Sequence, residues 1–461
     1  MDDRDEGSVW TQYCRRHAMQ AGCALCDAAK ENIWPSRPWQ FAVLTWSEEQ
    51  NIARLGRRAW QYFAPLLLNE MPDKTLLEVA PNASSWLLSM AEFIDNPDEL
   101  FLPLCQRILD LPFVSKPAST SGDPVQEAIN HPVGGVTLAL GKFWYKIADP
   151  NQHDSLPDNV EALFRQICNV DKKQFRHGRV VLAMYLPALC KVARAWTKEN
   201  LLPYFHWHNP EARAMWAGFL SSPHYHPSLM ADLKADFLET AAHYDELGDY
   251  LGSRFVHFLT DVALARIDGY SSGDFRKTFA QLPQGGLNVA ADKMWRFCEA
   301  AGDRREEFWK NRIQPFWKEV RPKSKNWLSP EISQSLAELC LAAGDEFPAA
   351  LKMLGNWLKP HPSYYSLVSR FYHKTLETIS RADSKEHLDK MEAGPQAALL
   401  KNFPEESLQF LVAIIPTDPS SWWGGREELQ QCLKDIAEAK PELRDDRHWQ
   451  ELNENCRRAT R

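Results

Sequence analysis

Residues 299–358 read EAAGDRREEFWKNRIQPFWKEVRPKSKNWLSPEISQSLAELCLAAGDEFPAALKMLGNWL and contain the tetrapeptide Ala-Ala-Gly-Asp twice, at 300–303 and 342–345. In both copies the glycine is suited to end one helix in the left-handed conformation, and the aspartate to cap the next. Glu306 follows Asp303 by three residues, as in a capping box. The copies begin 42 residues apart, which is about one helical-hairpin repeat. This stretch therefore predicts stacked helical hairpins.

Helical spacing of apolar residues continues on both sides of this stretch. It begins near Glu48, where Pro65 is expected to end or kink the first helix. Ser329-Pro330-Glu331 has the residue types of a helix start. Residues 411–415 would suit a strand in isolation, but their flanks are helical. Further helices are predicted at 84–95, 98–111, 179–196, 211–220, 228–244, 254–267, 349–358 and 426–439. The chain is predicted to be all-α, with stacked helix-turn-helix units in a solenoid-like array.

One segment has the composition of a linker. Residues 112–123 read PFVSKPASTSGD, which is rich in Pro, Ser and Gly and has little to bury. The predicted organisation is therefore an N-terminal helical region at 1–111, a linker at 112–124 and a helical, repeat-like domain at 125–461.

Bulk composition restricts the class of protein. The chain has 53 basic and 61 acidic residues and a net charge of −8, which argues against indiscriminate coating of DNA. It has no run of about 18 uncharged apolar residues, and its first residues are acidic, so neither a membrane span nor a signal sequence is predicted. Ten cysteines scattered over the chain do not form a disulfide pattern. These features predict a soluble, cytoplasmic protein with reduced thiols.

A cysteine and histidine cluster lies near the N-terminus. Cys14, His17, Cys23 and Cys26 are four soft ligands in two closely spaced pairs, and a turn at Gly22 would bring the pairs together. Zinc binds three cysteines and one histidine tetrahedrally, so the cluster predicts a structural zinc site with no open position for catalysis. The alternative is that both pairs lie on helices and their thiols pack as free cysteines. No other cofactor is predicted.

Two histidine pairs lie beside prolines, at His206-Trp207-His208 and His224-Tyr225-His226. Loops are common sites of binding groups, so Tyr204, His206 and His208 are predicted contact residues. If the two pairs meet, they would suit a metal-dependent hydrolase. The alternative is polar loop histidines beside packed aromatic residues.

The third candidate is the aromatic and basic segment 304–327. Basic side chains follow phosphates while rings stack on bases, so the segment would suit a groove for single-stranded nucleic acid. The alternative is a core helix with a solvated basic face. The predicted contact residues in this segment are Trp309, Arg312, Trp317, Arg321 and Lys323.

Several phrases, taken together and in order, resemble one family. They are His131–Gly134 (HPVG), 175–182 (FRHGRVVL), 196–208 (WTKENLLPYFHWH), 211–220 (EARAMWAGFL), 237–240 (FLET), 282–287 (LPQGGL), 308–323 (FWKNRIQPFWKEVRPK) and 343–350 (AGDEFPAA). The family is the uncharacterised helical domain that lies C-terminal to a sirtuin-like, NAD-consuming domain in bacterial phage-defence proteins. The resemblance covers about residue 125 to the end.

The resemblance implies a helical sensing or scaffolding region. The sequence lacks the Gly-rich nucleotide loop and the strand-rich first half of the sirtuin-like domain, so NAD cleavage is not carried over. The chain is expected either to work with a separate effector or to be the downstream piece of a longer one. We therefore expect a non-enzymatic sensor or scaffold of anti-phage defence, bound to a sirtuin-like effector or a phage protein. The alternative function is a nucleic-acid-binding subunit using segment 304–327.

Overall fold

The structure is a computed structural model. It describes residues 3–48, 55–114, 122–147, 156–222, 224–321, 329–360, 364–373, 397–418, 422 and 425–458, without the side chains of residues 3–8, 373, 397, 398 and 458. All regular elements in these ranges are helical, so the predicted all-α class is confirmed. None of the described helices is both long enough and apolar enough to cross a membrane.

Contacts group the chain into two compact units, Met1–Phe237 and Leu238–Arg461. The predicted linker at 112–124 falls inside unit 1, and its central residues 115–121 lie outside the described part of the chain. Helices from both sides of this segment pack against each other within unit 1, so the chain continues one core across it.

Unit 1 is a succession of helices in which the longest members pack in chain order, α1 on α3, α3 on α5, α5 on α8, α8 on α10 and α10 on α13. Its helices are α1 Asp3–Arg16, α2 Ala18–Lys30, α3 Ser36–Ser47, α4 Arg57–Asn69, α5 Asp73–Met90, α6 Phe101–Asp110, α7 Pro124–Asn130, α8 Pro132–Ile147, α9 Asp158–Ile167, α10 Arg176–Met184, α11 Leu186–Val192, α12 Arg194–Asn200, α13 Ala212–Ser221, α14 Pro227–Asp232 and α15 Lys234–Glu239.

Unit 2 repeats this arrangement, with α16 on α18, α18 on α20, α20 on α22 and α22 on α25. Its helices are α16 Tyr244–Ala265, α17 Ser272–Gln281, α18 Gln284–Ala300, α19 Arg305–Phe308, α20 Pro330–Ala342, α21 Phe347–Leu354, α22 Tyr364–His373, α23 Ala397–Asn402, α24 Pro404–Ile414, α25 Arg426–Ala439 and α26 Arg447–Arg458. Helices of successive hairpins therefore stack in order within each unit, as the sequence predicted.

Aromatic side chains fill much of the core of unit 1. Trp46 stacks on Phe63 with ring centroids 4.5 Å apart, and Trp60 meets Trp86 edge to face at 5.1 Å. Trp46, Trp86 and Trp144 are completely buried or nearly so. Each such ring pair adds roughly 0.5–1.5 kcal/mol to the free energy of unfolding beyond its buried area. The high tryptophan content is therefore used largely for packing.

Several helix predictions differ from the structure, among them the helix predicted at 228–244, which is broken into α14, α15 and a 3-10 turn that leads into α16. Pro65 does not end its helix, because α4 continues past it to Asn69. The helix predicted at 179–196 is three helices, broken where Pro187 enters α11 without an N–H to donate and where Ala193 leaves helical backbone angles. Segment 304–327 is helical in its described part, up to Val320, as the alternative of a core helix predicted. Residues 411–415 are not a strand, since α24 runs to Ile414.

The two Ala-Ala-Gly-Asp turns dock against each other. Gly302 and Gly344 both have left-handed backbone angles, with φ of 56° and 61°, as predicted. The predicted capping box is absent, because neither turn has a side-chain cap from its aspartate. Glu306 instead accepts a hydrogen bond from the backbone N–H of Asp345 at 3.2 Å, so one turn caps the other.

Candidate binding site

Residues 302–320 form what we call the connector helix. It begins with a 3-10 turn and α19 and continues as two π-helical stretches, Trp309–Ile313 and Phe316–Val320. Pro315 lies between these stretches and has no N–H for the helical ladder. Wide π-helical turns are rare and occur often at functional sites. The connector helix is therefore a candidate for a binding site.

The tryptophans of the connector helix face inward. Trp309 is 0% exposed and Trp317 is 5% exposed. Phe316, which directly precedes Trp317, meets Phe279 of α17 edge to face, with ring centroids 5.2 Å apart. Rings packed in this way cannot stack on nucleobases, so the structure does not support Trp309 and Trp317 as contact residues. It agrees with the alternative of a core helix with a basic outer face.

Arg312 holds the end of another helix. Its Nη1 donates to the carbonyl oxygens of Leu264 and Ala265, at 3.2 and 3.0 Å, in the last turn of α16. A cation at a helix C-terminus satisfies carbonyls that lack partners within the helix. Arg312 therefore has a structural role, which competes with its predicted role in binding. Lys323 lies outside the described residues.

Arg321, like Trp309, is a predicted connector residue with a buried donor for which the described residues provide no acceptor. Its guanidinium lies 4.0 Å from the ring centroid of Trp357 and 5.7 Å from that of Trp317. Its Nη1 is buried, and no described residue provides a hydrogen-bond acceptor for it. Burial lowers the pKa of Arg321, and no carboxylate offsets this effect. Such a cation is held in place by aromatic rings and has no counter-charge among the described residues.

A groove lies next to this arginine in unit 2. It has a volume of about 590 Å³ and runs between α21 and α24. The 3-10 turn Gly355–Trp357 links the two features, because Gly355 and Asn356 line the groove while Trp357 covers Arg321. The other lining residues are Pro348, Ala349, Leu351, Lys352, Glu406, Gln409 and Ala413.

The loop predicted from the histidine pairs divides into a buried and an exposed part. Tyr204 is buried, and its hydroxyl donates to the carbonyl oxygen of Cys168 at 2.5 Å. His206 Nδ1 lies 2.6 Å from Asp236 Oδ1, and its side chain is 44% exposed. The His206 and His208 rings are nearly parallel, with centroids 5.4 Å apart. Tyr204 is therefore structural, while the two histidines present a polar, accessible face.

An ion pair between buried Arg179 and partly buried Glu211 lies behind that loop and has no signature in the sequence. Arg179 is completely buried, and its Nε and Nη2 donate to both carboxylate oxygens of Glu211 at 2.7 and 2.5 Å. Its Nη1 donates to the carbonyl oxygens of Ile167 and Asn169. The guanidinium also lies 5.1 Å from the ring centroid of Tyr204. Arg179 and Glu211 are 32 residues apart, so no local spacing reveals the pair.

Two further histidines come together from phrases that carry the family resemblance. His131, which precedes α8, and His177 of α10 stack with ring centroids 4.1 Å apart. Burial lowers the pKa of His131 to about 4, and the neighbouring Arg176 lowers it as well. Burial, and then the adjacent His131, lowers the pKa of His177 to about 3. Both rings are therefore neutral at physiological pH.

The predicted zinc ligands are not gathered in the structure. Cys14 is buried in α1 and burial raises the pKa of its thiol to about 12, whereas Cys23 is exposed on α2. Within the described ranges, no three histidine, cysteine or acidic side chains are grouped as a metal site requires. Zinc binding by Cys14, His17, Cys23 and Cys26 stays a prediction.

The second histidine pair also has local contacts, since His226 Nδ1 lies 2.6 Å from Ser228 Oγ.

Comparison with known proteins gives no assignment. No protein-family model matches the chain, and no curated protein matches it.

Proposed function

We propose that this chain is a non-catalytic sensor or scaffold of a bacterial anti-phage defence system, and that it binds an effector protein through the groove between α21 and α24. The family resemblance supports the biological setting, because it links this kind of helical region with NAD-consuming effectors. The groove is the single observation that supports the binding role.

The lining of the groove suits a polypeptide. Lys352 and Glu406 give it both charges, whereas a groove for nucleic acid would be basic throughout. Ala349, Gly355 and Ala413 have small side chains, so a partner's backbone can come close to the wall. A volume of about 590 Å³ lies in the range of cavities that hold a ligand or a few side chains. We therefore assign the groove to a segment of an effector protein.

The proposal is tested by filling the groove. Ala413→Trp places a large ring in it, and Ala439→Trp adds the same ring on an exposed position of α25 in the same unit. We expect the wild-type chain to co-elute with a sirtuin-like effector protein and to reduce phage plaquing when both are expressed. Ala413→Trp should lose both effects, and Ala439→Trp should keep both.

Two results would contradict the proposal. One is equal binding by the two tryptophan variants, which would remove the groove as the contact surface. The other is consumption of NAD, or of another nucleotide, by the purified chain alone, which would make the chain an enzyme. The variants must keep the wild-type circular dichroism spectrum, so that a loss of binding is not a loss of fold.

The nucleic-acid alternative has its own observation, the exposed basic side chains Arg304 and Lys318 on the connector helix. It predicts that a labelled single-stranded oligonucleotide binds with a strong salt dependence. Changing Arg304, Lys310, Lys318 and Arg321 to glutamine should then weaken binding and flatten that dependence. Binding that is unchanged in this variant would remove the alternative.

A further inference from the structure

The segment between α12 and α13 carries a histidine that lies on a largely buried carboxylate. His206 Nδ1 is 2.6 Å from Asp236 Oδ1. The Asp236 side chain is 12% exposed, whereas that of His206 is 44% exposed. An ionised carboxylate only accepts hydrogen bonds, so the neutral imidazole carries its proton on Nδ1. The lone pair of the other ring nitrogen, Nε2, is then available to a ligand.

A second imidazole lies beside the first. The His208 ring is nearly parallel to that of His206, with centroids 5.4 Å apart, and His208 is exposed. Zinc–nitrogen bonds are about 2.0–2.1 Å long, so two imidazoles on one tetrahedral ion have ring centroids on the order of 5 Å apart. The two rings are therefore close to the spacing of a chelate. Rotation of the exposed His208 ring can direct one of its nitrogens toward a shared ion.

The hydrogen bond between His206 and Asp236 is the kind that metal-binding histidines have. A histidine ligand almost always donates its other ring N–H to a carboxylate, a backbone carbonyl or water, which fixes the tautomer and the ring orientation. The stacked His131 and His177 differ from this pair, because Nδ1 of His131 already accepts a hydrogen bond from the N–H of Val133.

We propose that His206 and His208 form a two-histidine chelate for a transition-metal ion such as Zn²⁺, with Asp236 as the residue that orients His206. Imidazole nitrogens suit Zn²⁺, whereas Mg²⁺ takes oxygen ligands. A structural zinc site has four protein ligands, and the described residues do not group even three. The ion is therefore exchangeable, and water fills its other positions. This inference concerns unit 1 and does not rest on the proposed defence function.

Isothermal titration calorimetry on the full chain tests the chelate, with Zn²⁺ in one series and Mg²⁺ in another. We expect saturable binding of Zn²⁺ and no binding of Mg²⁺. His206→Gln and His208→Gln should each weaken Zn²⁺ binding by about tenfold or more, since even an outer-shell partner contributes about 10–100-fold to metal affinity. The N-terminal cysteines are the same in all these proteins, so the differences between them report on the two histidines.

His448→Gln is the matched control, because it removes one exposed imidazole from α26. Its affinity for Zn²⁺ should equal that of the wild type. All variants must keep the wild-type circular dichroism spectrum.

Asp236→Asn tests the orienting role and should weaken Zn²⁺ binding by about tenfold. An amide can either donate or accept, so the His206 ring should then show both tautomers in long-range ¹H–¹⁵N NMR spectra. The wild type should show the Nδ1–H tautomer alone. An unchanged tautomer and an unchanged affinity in this variant would contradict the role of Asp236.

The wild-type protein provides a measurement that needs no variant, since Zn²⁺ should shift the Nε2 signal of His206 and a ring nitrogen signal of His208. The proposal is overturned if Zn²⁺ does not bind saturably or leaves both signals in place. It is also overturned if His448→Gln weakens binding as much as His206→Gln does, because scattered surface histidines would then explain the effect.

Discussion

At the scale of single residues, two buried donors have opposite roles. Arg179 uses all three of its nitrogens, on Glu211 and on two backbone carbonyls, and this joins α10 to the residues that precede α13. Arg321 has a buried nitrogen for which the described residues provide no acceptor. The first arginine is built into the fold, while the second holds a donor that the described part of the fold does not use.

The two arginines should therefore respond differently to removal of the charge. Arg179→Met should lower the free energy of unfolding by about 3 kcal/mol, because it strands the partly buried Glu211 and two carbonyls. Arg321→Met should be neutral or stabilising, since relief of an unsatisfied donor offsets a cation–π contact of about 0.5–1 kcal/mol. Urea unfolding measures the free energy of unfolding of both variants. Arg165→Met, at an exposed position, is the control. Equal losses in the first two variants would contradict this assignment.

The stacked histidines predict a dependence of stability on pH. The pKa values of His131 and His177 are lowered in the folded protein, so the unfolded chain takes up protons first as the pH falls below about 6.5. The free energy of unfolding should be highest above that pH and should decrease steadily toward pH 4. Protonation of His131 at Nδ1 would also break the hydrogen bond that it accepts from the N–H of Val133.

The comparison is made by urea unfolding at a series of pH values. His177→Phe keeps a ring in the stack and removes one of the two titrating groups, so its curve should be flatter between pH 6.5 and 4. His448→Gln, at an exposed position, is the control and should follow the wild type. If the wild type and His177→Phe show the same slope, the stack does not account for acid sensitivity.

At the scale of helices and turns, the docked Ala-Ala-Gly-Asp turns show which elements local sequence can specify. The left-handed backbone angles of Gly302 and Gly344 follow from local chemistry. So does the helix cap at Ser329, whose Oγ accepts a hydrogen bond from the N–H of Ile332 at 3.1 Å. The bond from Asp345 to Glu306 joins residues 39 positions apart, which no local pattern reveals. Tertiary contact therefore replaced the predicted capping box.

The two glycines allow a matched prediction. Both have positive φ, so alanine costs about 1 kcal/mol at either position from backbone strain. A Cβ at Gly302 would meet nothing within 4 Å, whereas a Cβ at Gly344 would lie 2.0 Å from Glu306 Oε1. Gly344→Ala should therefore lower the free energy of unfolding by about 1–3 kcal/mol more than Gly302→Ala. Equal values in thermal and urea unfolding would show that the turns do not dock in this way.

The candidate site was only partly accessible from sequence for a related reason. The aromatic and basic segment drew attention to Arg321, yet the burial of Trp309 and Trp317 depends on which face of the connector helix packs inward. The two π-helical stretches shift that face relative to a regular helix, so spacing alone does not assign it. The groove needs α21 and α24 to lie side by side, which is tertiary information.

At the scale of the whole chain, helical periodicity and turn residues were enough to predict the class and the stacking order. They did not predict the boundary between the two compact units. The Pro-, Ser- and Gly-rich composition at 112–123 suggested a linker, whereas contacts divide the chain between Phe237 and Leu238, within the short helix α15. Composition shows that a segment has few apolar side chains to bury, but the division into domains depends on contacts between distant residues.

Each unit has its own core, so fragments 1–237 and 238–461 should each fold. Trp46, Phe63 and Trp86 form one aromatic centre, and Phe347 and Phe410 contribute to another, with ring centroids 5.7 Å apart. We expect both fragments to give helical circular dichroism spectra and cooperative thermal unfolding. A division at residue 112 serves as the control, since it separates the packed helices α5 and α8 and should leave its fragments poorly folded. Non-cooperative unfolding of fragment 1–237 would contradict the division.

The cysteine thiols differ in their accessibility to labelling reagents. All ten cysteines are free, and Cys23 is the one that the structure classes as exposed. Burial raises the pKa of the thiols of Cys14, Cys105 and Cys340, which keeps them protonated and slow to alkylate. A maleimide dye added briefly at neutral pH should therefore attach to α2 ahead of the other positions. A fluorophore placed there would report on the N-terminal unit of the purified protein without any engineered residue.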